Sequence, residues 1–423
     1  MTVSQIKLPT AFRHPISIAA LALYIVGCLI VAVWGFANTI ARNSDGKDTS
    51  EIAATLAPND PEARYRYAIA LEKTFEMTDI ARSLHEYEEA VALAPHNFVY
   101  WLALGRARER DGDRPGAETA YRQALSLAPN YARAKWALGN NLLRQGKTDE
   151  GIELIRGAVD QESTFAAPAV TAAMQVFDGD IARVLDALGS SSASTSELAK
   201  WLATEGRFDE ALAAWLRIDA NTRRNSLRNA GLALHGKFVE AKRFRDAAKV
   251  ASSITENDPA AAQTGVIYNG GFESGVSLQN KDIFDWQIGK SYPLFGLSDS
   301  HPKEGKYSLL VRFNTPAKLD FEGVSRTVAV EPGMNYTLSV SYKSEVDTRA
   351  QFAWEVVSGT DQKRLGLSAP LSNSTGWTEL SIPFSVPADA DGITFRLIRD
   401  NCNSAACTVS GNLWFDDFRM SKK

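Results

Sequence analysis

The stretch whose reading decides the fold is NGGFESG, Asn269–Gly275. Asparagine followed by two glycines, then Phe-Glu and Ser-Gly, does not continue a helix. Glycine costs about 1 kcal/mol against alanine inside one, and Asn, Gly and Ser are turn formers. The residues beyond it settle whether it is a loop or a new domain. KYSLLVRF (306–313), RTVAV (326–330), YTLSVSYK (336–343), AQFAWEVV (350–357), TELSIPFSV (378–386), ITFRLIRD (393–400) and NLWFDDFRM (412–420) are short alternating segments. PGMNY, TGW and PADADG punctuate them as turns. Alternation with frequent turn signals predicts an antiparallel sandwich. NGGFESG is therefore expected to turn the chain into its first strand, with Phe272 entering the core.

Upstream the pattern is helical and repeats. LAPND (56–60), LAPHN (93–97) and LAPNY (127–131) punctuate it, with Pro95 and Pro129 spaced 34 residues apart. The same step aligns Leu104 with Leu138, Gly105 with Gly139, Tyr121 with Ile155, and Ala124 with Ala158. Small residues at Gly105 and Ala124 predict closely approaching helices. Tyr121 and Leu125 would fill the next groove, and Pro129 stops a helix that proline cannot continue. The run W-L-A-L-G, then Tyr-x-x-Ala-Leu-x-L-x-P, resembles the tetratricopeptide repeat. Three units, about 58–97, 98–130 and 131–164, meet the minimum for a stable stack. Past 165 the repeat degrades. EGRFDEALAAW (205–215) and HGKFVEAKRFR (235–245) align at a step of 30, Gly206 with Gly236 and Phe208 with Phe238. They extend the solenoid to about 250, while SSSASTSE (190–197) reads as a polar connection or helix cap. The resemblance implies protein partners on the repeat surface; a spacer role stays open.

From His14 to Ala41 there is no Asp, Glu, Lys or Arg. ISIAALALYIVGCLIVAVWGF (16–36) has the roughly 20 apolar residues a membrane span needs, and exceeds the apolar core of about 7–15 residues in a cleavable signal. Lys7 and Arg13 precede it and Arg42 and Lys47 follow, so flanking charge does not orient it. Cys402 and Cys407 do: as a disulfide they place the bulk of the chain outside reducing cytoplasm. Two free thiols remain the alternative. A net charge of −4 gives no electrostatic case for nucleic acid.

NGGFESG, Trp286, HPKEGKYSLLV, VEPGMNYTLSV, GWTELSIPFSVP and WFDDF, in that order, resemble the jelly-roll carbohydrate-binding modules typified by family 4. The resemblance covers nearly all of 266–423. It implies a structural calcium at Glu273, the Gly305–Lys306 region, and Asp416 or Asp417, because calcium takes carboxylate and carbonyl oxygens. The same acids could instead satisfy backbone donors. It also makes Trp286 and Trp377 core residues. Strand parity turns Leu309, Val311, Phe313, Leu338, Val340, Tyr342, Phe352, Trp354, Val356, Ile393, Phe395 and Leu397 inward. Arg312, Lys343, Gln351, Glu355 and Arg396 are left as a polar ligand face without a strand aromatic; Tyr292, Phe295 and Trp414 are the loop aromatics beside it. Arginines there suit an anionic glycan; a protein-docking face or a merely solvated one are the alternatives.

No nucleophile elbow, phosphate loop or HExxH helix occurs. His14, His85, His96, His235 and His301 stand singly, and Asp416 and Asp417 are expected on opposite faces of one strand. No catalytic residue is expected. The whole reads as a multidomain chain: a tail (1–14), a transmembrane helix (15–41), an all-α tetratricopeptide-type solenoid (50–252), a linker (253–265) and an all-β jelly roll (266–423). The functional expectation is a non-catalytic scaffold in the bacterial inner membrane, its bulk in the periplasm, serving envelope or exopolysaccharide assembly. A purely protein scaffold, or an accessory subunit of a membrane glycosyltransferase, is the alternative. This setting rests on domain combination alone.

Overall fold

A computed structural model describes residues 10–43, 46–189, 191–255, 263–276, 282–289, 293–313, 321, 323–399 and 408–423. Contacts divide the chain into two compact units, Met1–Ser194 and Thr195–Lys423.

The first unit is helical: α1 (Thr10–Asn43), α2 (Lys47–Leu56), α3 (Pro61–Glu72), α4 (Met77–Leu93), α5 (Phe98–Arg110), α6 (Arg114–Leu127), α7 (Ala132–Arg144), α8 (Thr148–Gln161), α9 (Ala166–Val176) and α10 (Ile181–Leu188). The hairpins α3–α4, α5–α6 and α7–α8 are the three expected repeats. Their LAP motifs work as joints. Each preceding helix stops before the proline, and Asp60 and Asn97 then cap the next one. Their Oδ1 atoms accept from Glu62 N and Val99 N, both at 3.0 Å. The glycine pattern is steric. A Cβ on Gly105 would collide with the Tyr121 ring, 2.4 Å from Cδ1 and Cε1, and one on Gly139 would lie 2.8 Å from Ile155 Cγ1. The same approach thus recurs one repeat later. Within α1, Ser17–Ile40 is long and apolar enough to cross a membrane, and the helix runs on to Asn43.

In the second unit α11 (Ser192–Thr204), capped by Ser191 Oγ accepting from Ser194 N at 3.3 Å, leads to α12 (Phe208–Arg217), α13 (Ala220–Asn225), α14 (Arg228–Glu240) and α15 (Phe244–Ser253). The step of 30 is corrected here. Gly206 sits in the α11–α12 turn at φ 75°, but Gly236 lies inside α14. The true counterpart of Gly206 is Lys242, at φ 60°. The turns Gly206-Arg207-Phe208 and Lys242-Arg243-Phe244 close alike, through Arg207 N to Leu202 O and Arg243 N to Phe238 O, both 2.9 Å. A non-glycine in the left-handed position hid the real step of 36.

The strands are β1 (Gln287–Ile288), β2 (Leu294–Ser298), β3 (Ser308–Phe313), β4 (Val324–Ala329), β5 (Asn335–Thr348), β6 (Phe352–Ser358), β7 (Arg364–Leu367), β8 (Ser374–Ser385), β9 (Gly392–Arg399) and β10 (Val409–Lys422). They form two five-stranded antiparallel sheets, ordered β1-β4-β9-β6-β7 and β2-β3-β10-β5-β8. All seven expected segments are strands. The inward residues of β3, β5, β6 and β9 meet in one core with Phe272, Trp286, Phe415 and Phe418. Trp377 is only partly buried and is not among the residues of this core. Helix α15 belongs to the same compact unit. Phe244, buried at its first turn, fills a niche made by Gly359 and Gly392, where a Cβ on Gly359 would lie 2.7 Å from the ring. Asp391 accepts the amides of Phe244 (2.9 Å) and Arg245 (3.2 Å), capping α15 from the sandwich.

Candidate functional site

NGGFESG is a turn-rich loop that closes on the end of β10 rather than entering a strand. Asn269 (φ 52°) and Phe272 (φ 63°) both take left-handed backbone. Asn269 holds the loop shut: its Oδ1 accepts from Ser274 N at 2.9 Å and its Nδ2 donates to Gly275 O at 2.7 Å. Gly270 O accepts from Phe418 N at 3.0 Å, and a Cβ on Gly270 would collide with Phe418 O. Phe272 lands beside Trp286, with ring centroids 4.8 Å apart. The opening and closing motifs of the domain therefore meet.

Both also grip the segment between them. Glu273 Oε1 accepts from Lys306 N and Tyr307 N, each at 2.9 Å. Asp416 Oδ2 accepts from Lys303 N (2.9 Å) and Glu304 N (3.3 Å). Asp417 receives the Lys303 ammonium at 2.6 Å and the Arg419 guanidinium at 2.9 Å. Asp416 and Asp417 do not oppose each other across a strand. A bulge between Asp416 and Arg419, with Asp417 at φ 51°, brings both acids to Lys303. Burial pushes the Asp416 carboxyl up, against the pull of its amide donors. Calcium needs oxygens converging on one point, whereas the 303–307 segment presents N–H groups and an ammonium to these acids. Among the described residues no three His, Cys, Asp or Glu side chains group as metal ligands. As placed, Glu273, Lys306, Asp416 and Asp417 fit a clamp on a turn and do not fit a calcium cage.

The five residues of the expected ligand face do not share a face. Arg312 and Lys343 project from the β2-β3-β10-β5-β8 sheet, whereas Glu355 and Arg396 project from the other sheet, on the opposite side of the core. Gln351 is exposed just before β6. On the first sheet Lys343 Nζ lies 5.0 Å from the Trp414 ring centroid and 2.9 Å from Glu345, and His301 packs on Trp414 at 4.8 Å. Trp414 is thus a covered residue of β10, not a loop aromatic. Phe295 lies in β2 and packs against the core. Tyr292, Cys402 and Cys407 lie outside the described residues. On the second sheet Glu355 is buried between Arg396 Nε (2.6 Å) and Arg364 Nε (2.7 Å). Burial lifts its carboxyl, but the two guanidinium groups outweigh that and hold it below the usual range. Two arginines around one carboxylate leave this cluster net positive, with both guanidinium side chains open to solvent.

Two participants escaped the sequence reading. Arg364 sits on β7, a strand of only four residues, RLGL, too short to show alternation. Arg326 alternates with Val324 and Val328, and that parity would have found it. It lies buried over Trp286, 5.4 Å from the ring centroid, and donates to Tyr268 O. Burial pulls its pKa down to about 10.

Comparison with known proteins agrees with this architecture. Residues 264–401 match the family model described as carbohydrate binding domain, and 102–168 match that of the tetratricopeptide repeat. A curated relative, the tRNA(Glu)-specific nuclease WapA of Bacillus subtilis subsp. natto, is 26% identical over 186 residues. The match takes in 41% of this chain and only 8% of that nuclease, so the chain spans a small part of the relative's length. Among solved structures, MamA of Desulfovibrio magneticus RS-1 is 19% identical, over 38% of this chain and 97% of that one, with a TM-score of 0.31. A CBM4 structure is 16% identical, over 37% of this chain and 99% of that one, with a TM-score of 0.27. The chain carries a tetratricopeptide repeat region followed by a jelly roll of the carbohydrate-binding type.

Proposed function

We propose that the protein is a non-catalytic scaffold held to a membrane by α1. Its repeat array engages a protein partner, and the outer side of the β1-β4-β9-β6-β7 sheet contacts an acidic glycan. The observation that carries the glycan assignment is the Arg364–Glu355–Arg396 cluster. It is fixed by short ion pairs, net positive and solvent-facing, and guanidinium groups match carboxylates in two-pronged geometry. Envelope or exopolysaccharide assembly in the bacterial periplasm is the setting that combines an anchor, repeats and such a module. The clamp of Glu273 and Asp416 on the 303–307 segment serves this module without calcium.

Affinity electrophoresis of the full chain in mild detergent, through gels carrying a polyuronate or a neutral glucan, tests the assignment. Retardation by the polyuronate alone, weakened in Arg396→Gln with the circular dichroism spectrum unchanged, is expected. Equal mobility in every gel sinks it. That outcome would favour a purely protein-binding scaffold, a reading supported by one observation: Phe352, Trp354 and Phe395, the aromatic residues of that sheet's strands, all turn to the core. Stacking platforms for neutral sugars are therefore not supplied by its strands.

A further inference from the structure

Helix α1 does not hand over to a tether where an anchor would end. Its last turns belong to the first hairpin: Ala37 is fully buried, Ile40 packs against Ala53 and Ala63, and Asn38 Nδ2 donates to Asp60 Oδ2 at 2.9 Å. Helix α2 then returns alongside α1, bringing the turn Leu56–Asp60 against Leu29, Ile30, Val33 and Trp34, with a cleft of 420 Å³ between them. This contact limits how deep α1 can sit. The turn carries polar backbone and the Asp60 carboxylate that caps α3. Unsatisfied backbone costs several kcal/mol in hydrocarbon, and a carboxylate there is comparably unfavourable. The hydrocarbon boundary must then fall within Leu29–Val33, the stretch of α1 that the turn faces, and no further along than Val33. The 20 residues from His14 to Val33 rise about 30 Å as a helix, the thickness of a bilayer's hydrocarbon core. The apolar run outlasts that length because Ala37 and Ile40 serve the hairpin. Near this level stand two large half-exposed apolar groups, Trp34 and Leu56, at 51% and 41% exposure, with Ile52 one turn further from it on α2, at 51%.

We infer that the α1–α2 hairpin lies on the bilayer surface, with the crossing segment ending at Val33 and a bilayer lipid filling the cleft between α1 and the turn Leu56–Asp60. The inference rests on the anchoring proposed above. Lipid is the occupant because one wall of the cleft is the crossing helix itself, so the apolar surface of Leu29, Ile30 and Val33 continues from the acyl region into the cleft. Trp34 at the boundary suits the interfacial preference of its ring. The consequence is geometric: the first repeat is presented at a fixed height against the membrane instead of swinging on a linker.

The test places a nitroxide at position 25, 52, 56 or 77 of the full chain, in a Cys28→Ala background reconstituted into phosphatidylcholine vesicles. The unsubstituted background is labelled in parallel, to subtract any signal from Cys402 and Cys407. Met77 is the control, an exposed apolar residue beyond the far end of α3. Collision with oxygen, soluble in lipid, is compared with collision with a water-soluble nickel chelate. The expected result is a several-fold higher oxygen-to-nickel ratio at 52 and 56 than at 77, with 25 higher still. Ratios at 52 and 56 equal to that at 77, while 25 is lipid-exposed, overturn the inference and leave the anchor standing. A water-exposed label at 25 overturns the anchor as well. Strong spin–spin broadening at 56 marks a second copy in the cleft, and that also refutes lipid as its occupant.

Discussion

Phe244→Ala should destabilise the sandwich although the residue belongs to a helix. Phe244 is buried at the start of α15, with its ring in the niche of Gly359 and Gly392 and its amide on Asp391. Removing a buried phenylalanine costs about 3–5 kcal/mol. The niche has little means of collapse, since backbone of the β6–β7 turn and of β9 forms its walls. In a unit of this size 1 kcal/mol moves the midpoint by about 2–4 °C, so a fall on the order of 6–20 °C follows. Two signals should register it together: ellipticity at 222 nm for the helices, and the near-ultraviolet tryptophan band, to which Trp286 and Trp354 in the sandwich core contribute. Gly392→Ala supplies the internal check, because its new methyl occupies the space of the Phe244 ring. The double variant should be less destabilised than the sum of the singles, by about 0.5–3 kcal/mol for residues in contact. A near-ultraviolet transition unmoved by Phe244→Ala, with loss confined to the helical signal, would refute the claim that α15 and the sandwich form one cooperative unit.

Two further outcomes follow from the clamp and the arginine cluster. Excess chelator, or millimolar calcium, should leave the melting temperature of the sandwich unchanged, whereas Glu273→Gln should lower stability by about 1–3 kcal/mol through loss of a charged acceptor for two amides; a calcium-dependent rise of several degrees would contradict the clamp. Glu355, held below the usual carboxylate range in the fold, contributes stability that is present above its ordinary pKa of 4.5 and lost as pH falls through its lower folded value; denaturant titrations between pH 5 and 3 should show a shallower acid decline for Glu355→Gln, and parallel curves would show that this carboxylate is not the group titrating.

What was legible in the sequence, and what was not, divides along physical lines. Alternation with period two is imposed on every strand by the pleat, so the inward sets of β3, β5, β6 and β9 could be read directly. The 34-residue step was equally open, because Gly105 and Gly139 each face a bulky side chain one helix later. Parity fails where the backbone leaves the pleat. The bulge after Asp416 puts Phe415 and Phe418, three residues apart, into one core, and turns two acids expected on opposite faces toward a single lysine. The echo at Gly206 and Gly236 misled for a related reason: the left-handed position that defines the turn is filled by Lys242. Parity also states whether a side chain points inward, but not which sheet carries it. Only strand order separates Arg312 and Lys343 from Glu355 and Arg396, and that order depends on pairings between residues far apart in the chain. The separation changes the chemistry expected of each side. Lys343 is spent over Trp414 and against Glu345, so its sheet offers a covered ring, a paired ammonium and one exposed guanidinium, Arg312, which donates to Asn412 Oδ1 at 3.3 Å. Glu355 fixes Arg364 and Arg396 without neutralising both, so the opposite sheet keeps a pre-positioned positive charge. An acidic ligand that needs two guanidinium groups side by side would therefore engage the Arg364–Arg396 side rather than the lone Arg312 of the tryptophan side.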